Sequence, residues 1–192
     1  MATASPTFDA PFVLGAQIEA RASHPDVAGR TFLIQHDRSW TYRDYRDECV
    51  RIAHLLKRRL GRVDERRPAH VAMLLENHLE LLALYGACGY TGATLFGVNT
   101  GLRGETLAGV LNQSKARLLV VDERFLPEIE RVRGKLEHVA AENLLVVRQQ
   151  EESVFEGPDL AAVLDSEVAK PGTSLAAPDA KVEPAQPLMV IY

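Results

Sequence analysis

The chain has 192 residues, 46% hydrophobic and 25% charged, with a formal net charge of −4; this is the composition of a globular protein able to bury one good core. No apolar run reaches the ~18 residues that cross a bilayer, and the opening Met-Ala-Thr-Ala-Ser-Pro has neither the basic nor the apolar region of a secretory signal. Cys49 and Cys88 make no disulfide framework, so the expected setting is reducing and cytoplasmic.

In chain order, residues 12 to 23 read as a short helix closed by the His24-Pro25-Asp26 turn. Thr31 to Gln35 and Ser39 to Tyr42 read as a small β-hairpin around a His-Asp-Arg turn. Thr41 is an expected N-cap, with Asp44 three residues on in a capping box. The helix it opens carries Tyr45, Cys49, Ile52, Ala53, Leu56 and Leu60 on one apolar stripe, and Gly61 stops it.

A regular alternation follows. His70 to Leu75 is a strand, and Asn77 with Glu80 opens a helix to about Tyr90 that is apolar almost all round and so expected to lie buried. Ala93 to Phe96 is a strand, Arg103 to Gln113 a helix, and Arg117 to Val121 a strand. A charged helix then spans Glu123 to Glu137, and Leu144 to Val147 is the fourth strand of the series. Strands alternating with helices of this length predict an α/β fold, a mainly parallel sheet with right-handed crossovers and helices over both faces.

After Gln150 the regularity stops. Pro171, Pro178, Pro184 and Pro187 punctuate a flexible or surface-hugging connector, and Leu188 to Tyr192 then reads as a strand buried on both faces. The resulting division is 1–28, an N-terminal helix and lead-in; 29–150, an α/β subdomain; 151–186, an acidic proline-rich connector; and 187–192, the start of a further strand. That apolar ending reads as a chain cut where a turn and another element should follow.

Charge is uneven. Residues 43 to 67 hold nine Lys/Arg against five Asp/Glu, while residues 151 to 192 hold two Lys against eight acids. Lys57, Arg58 and Arg59, with Arg62, Arg66 and Arg67, have the sign to meet nucleic acid or anionic lipid. The simpler reading is the basic end of a surface helix. No aromatic residues interleave to stack bases, so no nucleic-acid partner is expected, and peripheral membrane contact is kept for Lys57, Arg58 and Arg59.

The candidate chemical groups are few. Gly86, Gly89, Gly92 and Gly97 end a helix and run into a strand, the opposite polarity to a phosphate loop; Gly86 and Gly89 are read as a close-packing pair and Gly92 as the helix stop. At the first strand–helix junction, Glu76 and His78 form a possible acid–base pair, though an exposed capping turn explains both. Histidines 24, 36, 54, 70, 78 and 138 show no ligand spacing, and Cys88 lies in an apolar helix and reads as core. The loop Asn99 to Glu105 is read as turn residues ahead of a helix, with Arg103 solvated. No catalytic, cofactor-binding or metal-ligating residue is assigned.

The order of these elements, with the run Val71 to Glu123 and the earlier Ser39-Trp-Thr-Tyr-Arg-Asp-Tyr, resembles the N-terminal half of AMP-forming acyl-CoA synthetases, over about residues 28 to 192. Asn99-Thr-Gly-Leu-Arg-Gly-Glu resembles the fatty-acid and carnitine-type branch. The resemblance implies an enzyme that makes an acyl-adenylate from a carboxylic acid and ATP with Mg²⁺, then an acyl-CoA thioester from CoA. It also implies that the strand at Met189 to Tyr192 leads into a phosphate loop beyond this chain, so that the fragment alone is inactive and binds none of these cofactors. Two alternatives stand: another carboxylate-adenylating enzyme, such as an aryl-CoA ligase or a peptide-synthetase adenylation domain, and a non-catalytic α/β binding module.

Overall fold

The computed structural model describes residues 12–61, 67–148 and 158–192. Helix α1 (Leu14–Ser23) leads to an antiparallel hairpin of β1 (Thr31–Gln35) and β2 (Arg38–Thr41). Gln35 pairs with Arg38, so the turn is one residue shorter than the sequence suggests. His36 makes this possible by adopting a left-handed φ of 53°, a conformation His tolerates better than branched residues.

Helix α2 (Tyr42–Leu60) begins at the expected capping box. Thr41 Oγ1 accepts from the Asp44 amide at 3.1 Å, and the Asp44 carboxylate accepts from the Thr41 amide at 2.9 Å. Two of the orphan donors of the first turn are thereby satisfied. Tyr45, Cys49, Ile52, Ala53, Leu56 and Leu60 are all buried, and Gly61 caps the far end.

The main sheet contains β3 (His70–Leu74), β4 (Thr94–Gly97), β5 (Leu118–Asp122), β6 (Leu144–Val147) and β7 (Met189–Ile191), in the order β6-β5-β3-β4-β7 and parallel throughout. Alternate residues feed opposite faces. Val71, Met73, Leu95, Leu118 and Val120 join one core with α1, α2, α3 (Leu79–Thr91) and α6 (Leu160–Glu167). Ala72, Leu74, Leu119 and Val121 join the other with α4 (Gly104–Ser114) and α5 (Leu126–Val132). Helices therefore cover both faces, and these central strands read as unbroken apolar runs because both sides are buried.

Helix α3 packs against both α1 and α2, and two glycines permit that approach. A Cβ on Gly86 would overlap Cys49 Sγ of α2 and stand 2.9 Å from Tyr45 Oη, while one on Gly89 would stand 2.9 Å from Leu14 Cβ of α1. Gly92, at φ 70°, ends the helix in the left-handed region.

Four local expectations are corrected. The N-cap of α3 is His78, not Asn77, and no side chain of the helix caps it; Gln35 Oε1, reaching in from the hairpin, accepts from the Leu79 amide at 3.3 Å. The expected charged helix from Glu123 is broken into a 3₁₀ turn (Glu123–Phe125), α5, and a second 3₁₀ turn (Arg133–Lys135). Pro127 sits in the first turn of α5, where its missing N–H and fixed φ are tolerated only at a helix start. The described part of the connector, from residue 158, contains α6, opened by Asp159 accepting from the Ala162 amide at 2.9 Å. Finally, β7 is not buried on both faces: it lies at the sheet edge beside β4, and Ile191 is 77% exposed.

Candidate functional site at the switch of the parallel sheet

The crossover from β3 runs to β4 on one side, and that from β5 runs to β6 on the other. Between the carboxyl ends of β3 and β5 the chain therefore diverges, and the loops part to leave a crevice, the usual ligand position in open α/β sheets. A cavity of about 430 Å³ lies there, lined by Glu76, Asn77 and His78 after β3, Arg124 after β5, Thr100 after β4, and Gln35 and His36 from the hairpin.

Asp122, behind this lining, holds two of its residues, His78 and Arg124. The carboxylate is 0% exposed and accepts from His78 Nε2 at 2.8 Å, the Arg124 amide at 3.1 Å and Arg124 Nε at 3.2 Å. Burial of a charge is tolerable only with partners of this kind. With Nε2 donating to the carboxylate, His78 Nδ1 is left to accept from Gln35 Nε2 at 3.2 Å. Gln35 Nε2 also lies 2.5 Å from the Asn77 carbonyl. Arg124 Nη2 lies 2.5 Å from Glu76. One guanidinium thus spans a buried and an exposed carboxylate, and the hairpin is tied to the crevice floor.

This arrangement corrects the reading of Glu76 and His78. They are not paired with each other, since Glu76 meets Arg124 and His78 meets Asp122. Nor is His78 in an exposed turn, being 8% exposed. Sequence reasoning missed Asp122 as a site residue, although a carboxylate closing the apolar run Leu118-Leu-Val-Val was the available signal. The crevice can orient a polar ligand through Arg124 and Thr100. It contains no nucleophile paired with a base, and no group of three His, Cys, Asp or Glu among the described residues could hold a metal ion.

The other candidates resolve as structure. Cys88 is fully buried and burial pushes its thiol up to about 12, so it is core. In the Asn99 to Glu105 loop, Asn99 Oδ1 accepts from the Gly101 amide at 2.8 Å. Arg103 is not simply solvated: it folds back, donating to the Thr100 and Leu102 carbonyls at 2.6 and 2.7 Å. A larger cleft of about 850 Å³ runs between the hairpin, α2 and α6. Its buried Arg51 is held by Glu48 at 2.5 Å and Asp165 at 2.7 Å, and burial pushes the Glu48 carboxyl up against the pull of Arg51.

Lys57, Arg58 and Arg59, kept for membrane contact, are already engaged within the chain. Lys57 donates to the Asp179 carbonyl, Arg58 to that of Glu167, and Arg59 to the Glu167 carboxylate and the Glu142 carbonyl. Arg62 and Arg66 lie outside the described residues. Among the described residues no helix is long and apolar enough to cross a membrane.

The family model "AMP-binding enzyme" matches residues 19–192. A probable acyl-activating enzyme of Arabidopsis thaliana is 31% identical over 118 residues, covering 61% of this chain and 21% of the plant protein. The crystal structure of the anthranilate CoA ligase AuaEII in complex with anthranoyl-AMP is similar at TM-score 0.60 and 28% identity, over 69% of this chain and 24% of that one. The Mycobacterium tuberculosis fatty acyl CoA synthetase shares the fold at TM-score 0.73 and 20% identity, over 93% of this chain and 32% of that one. The chain thus spans about a fifth of the length of the curated plant relative it matches. With a family match running from α1 through β7, and a parallel sheet built as in these structures, the chain belongs to the AMP-binding enzyme family.

Proposed function

We propose that these residues are the N-terminal portion of an ATP-dependent, AMP-forming carboxylate–CoA ligase, acting on a fatty or related carboxylic acid. The observation that carries this reading is the unbroken family match over residues 19–192. The proposed enzyme converts a carboxylate, whose oxide is too poor a leaving group for direct thiol attack, into an acyl-CoA thioester with ATP, Mg²⁺ and CoA. We keep 29–150 as the α/β subdomain, 151–186 as the connector and 187–192 as the strand leading toward a phosphate loop.

The described residues do not fit a nucleotide triphosphate or its metal. The β3–α3 junction, Leu75-Glu-Asn-His, offers two paired polar side chains where a phosphate would require glycine amides. The role of this segment is therefore to build the sheet and to order its carboxyl edge, and no chemical step is assigned to its residues. Both cysteines are free, which supports a reducing, cytoplasmic setting.

A second reading is supported by the 28% identity to an anthranilate CoA ligase: an aromatic carboxylate in place of a fatty one. ATP–pyrophosphate exchange with palmitate, benzoate and anthranilate, measured on the longer polypeptide that carries this segment, tests both. Exchange driven by palmitate is expected. Exchange driven only by the aromatic acids moves the assignment to the second reading, and no exchange with any of them overturns adenylation. The 192-residue chain by itself is expected to give none.

A further inference from the structure

The C-terminal segment from α6 to β7 crosses α2 with little main-chain bonding of its own. Among the described residues, the main-chain hydrogen bonds of 170–187 outside the sheet are two local turns, Thr173 to Lys170 and Gln186 to Glu183. Its carbonyls instead receive side chains of α2. Arg58 Nη1 is 2.6 Å from the Glu167 carbonyl and Arg51 Nε is 2.9 Å from that of Ala169. Further along, Arg46 Nη1 is 2.6 Å from Leu175, His54 Nε2 2.9 Å from Ala176, and Lys57 Nζ 2.5 Å from Asp179.

Five donors of one helix thus reach five carbonyls, that of Glu167 at the end of α6 and four in the irregular segment after it. The helical repeat sorts them, with Arg51 and Arg58 meeting the part before Pro171 and Arg46, His54 and Lys57 the part after it. Apolar anchoring is sparse: Leu175 and Ala177 touch the α2-side core and Pro178 is buried, whereas Thr173, Ser174, Ala176 and Asp179 face solvent. At its far end the segment delivers β7 to β4, where the Leu95 amide donates to the Leu188 carbonyl at 3.0 Å and Thr94 Oγ1 to that of Pro187 at 3.0 Å.

We propose that the donor row of α2, four cations and His54, is a clamp for a peptide backbone. It holds residues 167–179 by their carbonyls, with the Glu167 carboxylate taken by Arg59 and the exposed side chains of Thr173, Ser174 and Asp179 left unread, and so fixes where β7 joins the sheet. A charged donor on a neutral carbonyl makes a stronger bond than a neutral one, and losing the row leaves residues 170–187 with the two local turns and the contacts of Leu175, Ala177 and Pro178. The surface helix that looks like a free basic patch is thereby an internal binding face whose ligand is the chain's own C-terminal segment. This inference does not rest on the ligase assignment.

The test is hydrogen–deuterium exchange by mass spectrometry on the whole 192-residue chain. In the triple variant His54→Ala/Lys57→Ala/Arg58→Ala, peptides covering 174–182 and 188–192 are expected to exchange at least tenfold faster, while those of β3 and β5 keep their wild-type protection. Ser174→Ala with Asp179→Ala, which removes side chains and leaves carbonyls, is expected to exchange like wild type. Unchanged protection of 174–192 in the triple variant overturns the clamp. So does loosening by Ser174→Ala/Asp179→Ala equal to that of the triple, since the Asp179 carboxylate would then be what is read. Should the triple variant lose β3 and β5 protection, the pair His54→Ala/Lys57→Ala is read against the same criteria.

Discussion

Asp122 is the residue on which the crevice between β3 and β5 depends. Removing a buried acceptor from a charged hydrogen bond costs about 1.5–3 kcal/mol, because His78 would keep its burial and lose its acceptor while Arg124 lost one carboxylate. Asp122→Ala is therefore expected to lower Tm by roughly 3–12 °C, at about 2–4 °C per kcal/mol for a chain of this size, measured by circular dichroism. A fall of only a degree or two would show that the His78 contact is idle. The thiols give a test with a pH sign. Burial raises Cys49, and raises Cys88 to about 12, so the folded state holds protons that the unfolded chain releases near about 8.5. Stability is complete below that pH and falls above it by about 1.4 kcal/mol per pH unit for each thiol. Iodoacetamide at pH 8 is expected to leave both cysteines unmodified until denaturant is added; ready alkylation of the native chain would contradict their burial.

At the scale of elements, the α2–α3 contact is held close by Gly86. Gly86→Ala drives a methyl group into Cys49 Sγ and Tyr45 Oη. Overpacking of this kind costs about 1–3 kcal/mol, of which the better helix propensity of alanine returns up to about 1. Urea denaturation is expected to show a net loss, and a stabilised variant would mean that the helices can part without cost. The same helix shows what sequence can and cannot carry. Capping boxes, apolar stripes and glycine stops act within a few residues of one another, and at Thr41, Tyr45 to Leu60, Gly61 and Gly92 the folded chain follows them. The start of α3 does not, because its partner Gln35 is 44 positions away. Asp122 escaped notice for the same reason: its meaning lies in His78, also 44 positions distant, and no periodicity records such a pairing. The helix α6 was hidden among prolines and acids because only eight residues form it.

For the whole molecule, part of the uneven charge of the sequence becomes an internal attraction, with Arg51 and Arg59 of α2 paired to Asp165 and Glu167. The pairing of β7 with β4 carries a consequence for how the molecule comes together. His70 and Thr94, partners in β3 and β4, are 94 − 70 = 24 positions apart, whereas Leu95 and Met189, partners in β4 and β7, are 189 − 95 = 94 apart. Closing the longer loop costs more chain entropy, and the four strands β3 to β6 can pair before residues 189–191 leave a ribosome working from the N-terminus. The edge beside β4 is therefore filled after the others have paired, and until β7 emerges it is an open template for another chain.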